Sequence, residues 1–327
     1  MNNFWQKLNK HNKPFFALAP MADVTDAAFR QMIAKYSQND KLWGGPQVFY
    51  TEFVSVDGLT SEKGRNKVAR DLYFSEHERP IIAQVFGTNP EKFMQTATII
   101  QELGFDGIDI NMGCPEKKII KQGAGAALIK TPELAKAIIK ATKDGAIKIP
   151  VSVKTRIGYN KIITNEWISC LLEAKPDALA IHGRTQKEMS DVPAHWDEIK
   201  KAAELAKGTN TIIIGNGDVT SLEDGTQKAS DSGVDGIMVG RGVFGNPWFF
   251  NNKKINISKK EKIEALIEHT YLFEELLSSK KIKGFEIMKK HFKAYTNGFD
   301  GARELRVKLM EAENAIDVKK IINNLKL

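Results

Sequence analysis

Short runs of β-branched and apolar residues recur along the chain, bounded by Gly, Pro or Asn and separated by stretches with helical spacing. They are FFALAPM (15–21), VFYTEFV (48–54), PIIAQVFG (80–87), GIDINMG (107–113), PVSVKTRIG (150–158), ALAIHGRT (178–185), TIIIGNGDV (211–219) and GIMVGRGV (236–243). Successive runs begin 25 to 43 residues apart, the repeat of a strand, a crossover helix and two loops. Eight such units over about 240 residues predict an α/β fold, a (β/α)8 TIM barrel. A doubly wound open sheet would use fewer strands and carry a glycine fingerprint at its first turn, and none follows FFALAPM. The intervening segments carry helix punctuation. NPEKFMQTATIIQELGF opens on Asn-Pro and closes at Gly, and TPELAKAIIKATKDG offers Thr131 as N-cap, Pro132 at the first helical position and Gly145 near the end. After NPWFFNNKKINISKK the strand runs stop and only helical periodicity remains. The predicted division is a barrel over residues 1–250 and a small all-helical domain over 251–327.

Composition sharpens this. A chain of 327 residues can bury a full core without disulfides, and two cysteines far apart, Cys114 and Cys170, argue for a reducing compartment and against a zinc site. The N-terminus lacks the apolar core of a signal peptide, and no stretch reaches the length of a membrane span. A cytoplasmic protein is expected. The formal charge of +8 is unevenly placed: residues 251–327 hold 17 Lys or Arg against 11 Asp or Glu. A basic tail points to a polyanionic partner.

In a barrel of this kind the active site forms at the C-terminal ends of the strands. Those ends present Met21 and Asp23, Glu52, Gln84, Asn111 with Cys114, Lys154 with Arg156, His182 with Arg184, Asn216 with Asp218, and Gly240 with Arg241. GNGD after the seventh run and GRG after the eighth stand where such barrels hold a phosphate, with glycines for close approach and Arg241 for charge. Lys154 interrupts an apolar strand; it either snorkels from the strand end or faces a polar cavity. His182, Gln84 and Asn111 are either satisfied core or loop groups or the edge-reading groups of a flat heteroaromatic ligand. Cys114, near Lys117 and Lys118 in a glycine-rich loop, is either a buried thiol or a chemical one.

The runs APMADVTDAAFR, AQVFG, DINMGCPEKKIIKQGAGAAL, VKTRIG, IHGRT, GNGDV and VGRGVFGNPWFF, followed by KKHFKAYTNGFDGARELR in the tail, resemble the tRNA-dihydrouridine synthases, FMN-dependent enzymes that reduce selected uridines of tRNA. One departure is that Phe299 and Asp300 stand where the family's tail motif has a proline. The resemblance implies FMN held by Pro20, Met21, Ala22, Gln84, Lys154, His182, Asn216, Gly217, Asp218, Gly240 and Arg241. It implies Cys114 as general acid, Lys154 and His182 as catalytic partners, and Asn111 and Arg156 beside the uracil. It further implies NADPH as reductant, hydride transfer from flavin N5 to uracil C6, and protonation of C5 by Cys114. The uridine has to be flipped out of the tRNA to reach a barrel mouth. Lys289, Lys290, His291 and Lys293, interleaved with Phe292 and Tyr295, are the expected contacts to tRNA; neither DNA nor a membrane is an expected partner, and a monomer is expected. Two rivals are a small-molecule FMN barrel oxidoreductase resembling dihydroorotate dehydrogenases and a non-catalytic tRNA-binding chaperone. The first leaves the basic tail without a use, and the second leaves the catalytic positions unexplained.

Overall fold

The computed structural model describes residues 3–11, 14–37, 45–254 and 256–324. Eight strands form the barrel: β1 Phe15–Leu18, β2 Phe49–Tyr50, β3 Ile81–Phe86, β4 Gly107–Met112, β5 Val151–Arg156, β6 Ala178–His182, β7 Ile212–Asn216 and β8 Gly236–Val239. All pair in parallel, in the order β1-β8-β7-β6-β5-β4-β3-β2. A parallel bridge between Ala17 and Val48 brings β1 and β2 together and all but closes the ring.

Side-chain alternation divides the strands into two faces. Leu18, Phe49, Val85, Ile110, Val153, Ile181, Ile213 and Val239 point outward and pack with the surrounding helices. Phe15, Ala17, Val48, Tyr50, Ile82, Ala178, Ala180, Ile212, Ile214 and Met238 form a separate inner cluster. Trp5, on the N-terminal helix Phe4–His11, joins that cluster and lies 5.8 Å from Phe15 between ring centroids, so the lower end is packed with apolar side chains. The same inward parity continued upward yields Gln84, Asn111, Lys154, His182 and Asn216. The interior is therefore apolar at its base and polar toward the strand C-termini.

Two local readings are corrected. The run 48–54 is not one strand: after the Thr51 N–H bond to the Ile82 carbonyl (2.9 Å) the chain leaves the ladder and resumes at Val54–Ser55, which pairs with Val85 and Phe86. The cause is Thr51, whose hydroxyl takes the Gln84 N–H (3.1 Å) in place of a ladder carbonyl. Thr131 precedes the helix Pro132–Gly145 but does not cap it through its side chain. A 3-10 segment, Gly125–Lys130, runs directly into it, and the Thr131 hydroxyl turns back to the Leu128 carbonyl. Asn89, by contrast, does cap Pro90–Glu102.

The C-terminal residues form the helices Lys259–Phe273, Met288–Tyr295, Ala302–Leu309 and Ala315–Asn324. Leu266, Phe273, Met288, Phe292, Leu305 and Val318 share one core with Ala27, Ala28 and Met32 of the first barrel helix, Ala27–Tyr36. Glu268 bonds the Tyr36 hydroxyl (2.7 Å) and Lys35 at the edge of this contact. None of the described helices is long and apolar enough to cross a membrane.

Candidate active site

A cavity of about 580 Å³ opens at the C-terminal ends of the strands, within the usual range for a cofactor or small ligand. Pro20, Met21, Ala22, Gln84, Asn111, Cys114, Lys154, Arg156, His182, Asn216, Gly217, Asp218, Gly240 and Arg241 all line it. The barrel-derived candidates are thus brought together by one structural rule, inward-facing positions at strand ends and the loops that follow them.

Cys114 follows β4 and is held at both its backbone groups. Its N–H donates to Asn111 Oδ1 (2.9 Å), and its carbonyl accepts from Ala126 N–H (3.0 Å). The second contact depends on Gly125, where φ is +61° and a Cβ would lie 2.8 Å from the Cys114 oxygen. Burial pushes the thiol above its ordinary pKa, so it is protonated at neutral pH. The neighbouring lysines do not turn it into a thiolate.

Lys154 Nζ reaches across the interior to Asn216 Oδ1 (3.0 Å), and Asn216 Nδ2 donates to the Met238 carbonyl (2.8 Å). Burial, then the charge of Arg156, lowers the ammonium pKa to about 8. His182 is held well below its ordinary value by burial and by the surrounding Lys154, Arg156 and Arg184. It is neutral. Its Nε2 lies 3.0 Å from Arg184 Nη1; because arginine only donates, Nε2 accepts and the proton resides on Nδ1.

Arg156 lines the cavity, but three of its N–H groups are already engaged with the carbonyls of Gly113 (2.8 Å), Thr185 (2.9 Å) and Met189 (3.0 Å). It fixes the loops around Cys114, and among the described residues Nη2 has no partner and remains as a donor toward a ligand. Arg184 and Arg241 converge on Asp218, at 2.5 and 2.7 Å. Next to them Gly217 adopts φ +135° and passes so near Ala194 that a Cβ would sit 2.6 Å from its methyl. Gly240, at the end of the neighbouring strand, leaves the wall bare beside Met21. Five basic side chains against Glu116 and Asp218 line the cavity, a balance suited to an anion. Amide edges at Gln84, Asn111 and Asn216 with this cationic rim fit a flat heteroaromatic ring carrying a phosphate.

The tail residues fare differently. His291 is fully buried against Phe29 and His269, at 5.2 and 4.6 Å between ring centroids, so it cannot touch a polyanion, and that expectation is withdrawn. Lys290 and Lys293 are exposed and Lys289 is half-buried, none of them in the cavity.

Two groups escaped the sequence reading. Asp109, wholly buried below the cavity, accepts from Ser152 Oγ (2.6 Å) and Gln84 Nε2 (2.7 Å); the period-two spacing 109/111 was a usable signal. Lys283 extends from the tail to Glu52 (2.7 Å) and Asp23 (3.3 Å) beside the cavity wall. No local pattern marks a lysine that pairs with residues more than 200 positions away.

A family profile described as Dihydrouridine synthase (Dus) matches residues 17–326. A protein of Staphylococcus aureus (strain COL) named "Probable tRNA-dihydrouridine synthase" is 38% identical over 324 residues, covering 98% of this chain and 95% of its own length. A Staphylococcus epidermidis protein (strain ATCC 35984) of the same name is also 38% identical over 324 residues, with the same coverages. "Probable tRNA-dihydrouridine synthase 2" of Bacillus subtilis (strain 168) is 39% identical over 326 residues, covering 98% of this chain and 96% of its own.

Proposed function

Because this chain belongs to the dihydrouridine synthase family, we propose that it reduces the C5–C6 double bond of particular uridines in tRNA. The observation that carries the reading is a protonated, half-buried thiol at a cavity whose amide and cationic groups suit a flavin phosphate.

Pro20, Met21, Ala22, Gln84, Lys154, His182, Asn216, Gly217, Asp218, Gly240 and Arg241 would hold FMN. When bound and reduced by NADPH, that group supplies the hydride for C6 of uracil. Cys114 holds the proton that C5 receives, and its raised pKa keeps the proton available at neutral pH. Lys154 and the Nδ1–H of neutral His182 stabilise the negative charge that develops toward the O4 carbonyl. Asn111 and the free Nη2 of Arg156 orient the ring edge. Lys154 and His182 lie mostly out of solvent, which strengthens their interaction with a developing charge.

The barrel to about residue 250 is the catalytic unit, and residues 251–327 bind tRNA in the cytoplasm. Exposed Lys290 and Lys293, with Lys289, contact its phosphates, and the target uridine is flipped into the cavity. The decisive test is dihydrouridine, quantified by mass spectrometry, in unmodified tRNA incubated with NADPH and the flavin-loaded protein. Wild type is expected to form it, and Cys114→Ala to form it at least about 100-fold more slowly while keeping its flavin. An unimpaired Cys114→Ala would remove the thiol from the chemistry. A wild-type protein that consumes NADPH without modifying tRNA from cells lacking dihydrouridine would point to a small-molecule substrate.

A further inference from the structure

We propose that Asp109 is a positioning residue for Cys114, its carboxylate anchoring the foot of a hydrogen-bond chain that runs through Gln84 and Asn111 to the backbone of the Cys114 loop. The inference rests on the proposed role of Cys114 as proton donor. Asp109 lies in β4 with no accessible surface and outside the cavity lining, so it touches neither ligand nor thiol.

The chain can be followed atom by atom. The carboxylate accepts Ser152 Oγ–H on Oδ1 and Gln84 Nε2–H on Oδ2. An ionised carboxylate cannot donate, so Gln84 must present its nitrogen there and its oxygen on the other side. That oxygen accepts Asn111 Nδ2–H at 3.0 Å, which leaves Asn111 Oδ1 to accept the N–H groups of Gly113 (3.2 Å) and Cys114 (2.9 Å). A primary amide has nearly the same shape in its two orientations. With both amides reversed, an NH2 group would face the two backbone N–H groups and repel them. The donor-only N–H groups at the head of the chain and the acceptor-only carboxylate of Asp109 at its foot demand the same orientation, and Asp109 anchors both amides from below. A buried carboxylate is costly compared with an apolar residue in the same place, so packing alone does not account for it. Burial raises its pKa to about 6, which still leaves it ionised at neutral pH.

The test uses flavin-loaded protein in a Cys170→Ser background, where Cys114 is the sole thiol. Asp109→Leu keeps the branched shape and removes the acceptor. Expected are amide exchange at Gly113 and Cys114 faster by about tenfold, the size of one missing hydrogen bond, and faster alkylation of Cys114 by iodoacetamide. The kcat for dihydrouridine formation should fall with little change in KM for tRNA. Asp109→Asn should be intermediate, since asparagine preserves the chain direction only when Ser152 turns to accept from it. A folded Asp109→Leu protein with wild-type exchange and alkylation would overturn the proposal. Should that variant fail to fold, Gln84→Met cuts the chain one link later and has to produce the same exchange change; wild-type exchange there would overturn it equally. A wild-type protein that forms no dihydrouridine would count against the proposed function, while the exchange pattern would still decide the hydrogen-bond chain.

Discussion

A lysine whose ammonium titrates near pH 8 changes charge inside the working range of most enzymes, and Lys154 is such a residue. It is a cation below that value and neutral above it. If its charge stabilises the reaction, dihydrouridine formation should fall about tenfold per unit as pH rises beyond 8. Lys154→Arg, whatever its absolute rate, should lose that alkaline limb because a guanidinium stays charged. A flat wild-type profile through pH 9.5 would separate Lys154 from charge stabilisation. At this scale the site was largely legible, because inward alternation and position at strand ends select Gln84, Asn111, Lys154, His182 and Asn216 together. Asp109 obeys the same alternation, but its role depends on the orientation of two amides, which sequence does not carry. His291 was misread although the signal existed: Met288, His291, Phe292 and Tyr295 fall at i, i+3, i+4 and i+7, the spacing of one buried helix face.

Among the elements, the contact of the Lys259–Phe273 and Met288–Tyr295 helices with the first barrel helix contains an unusual pair. His269 and His291 meet edge to face with 4.6 Å between centroids, and none of their four ring nitrogens has a hydrogen-bond partner among the described residues. Burial holds both far below their ordinary pKa, His291 at about 3. The unfolded chain therefore takes up protons first as pH falls from 6.5 toward 3. Each histidine should remove stability as pH falls below 6.5, His291 by up to roughly tenfold in the folding equilibrium per pH unit down to about 3. Asp26 and Asp109, raised by burial to about 7 and about 6, act in the opposite direction, so the informative quantity is a difference between variants. His291→Phe should raise Tm and flatten the loss of stability between pH 6.5 and 5 relative to wild type, measured by urea unfolding. An equal pH slope in the two proteins would mean that His291 is protonated in the folded state. Strand two shows the limit of pattern reading: VFYTEFV has the composition of a strand, but Thr51 offers its hydroxyl where the ladder needs a carbonyl.

For the whole molecule, the alternation of strand and helix was enough to give the barrel, and the absence of strand runs after residue 250 gave the helical tail. How the two meet was not readable, since it depends on contacts between distant segments. The most telling is the Lys283 side chain, only 11% exposed, bound to Glu52 and Asp23. Burial works against its charge, and Glu52 with Asp26 and Asp23 outweighs it to hold the ammonium above its usual pKa. Lys283→Met would leave Glu52 buried without its partner and should cost about 3 kcal/mol; Glu52→Gln in the same protein should restore part of it. Additive effects would show that the pair is not coupled. Replacing the more exposed Lys289 and Lys290 by Ala should leave stability nearly unchanged. It should weaken tRNA binding and reduce its salt slope by up to about 1.4, at about 0.7 for each single-strand phosphate that is no longer neutralised. An unchanged slope would take both lysines out of the RNA interface.

The Lys283 contact also bears on whether the tail can be exchanged. Asp23 adopts φ +55°, donates its N–H to Glu52, and follows directly on the cavity-lining residues Pro20 to Ala22. A tail transplanted from a relative would bring its own residue to position 283 and meet this preformed acidic socket. A hybrid whose tail lacks a lysine at 283 would leave Glu52 and Asp23 without their cation, so residues 23 and 52 would have to be exchanged along with the helices.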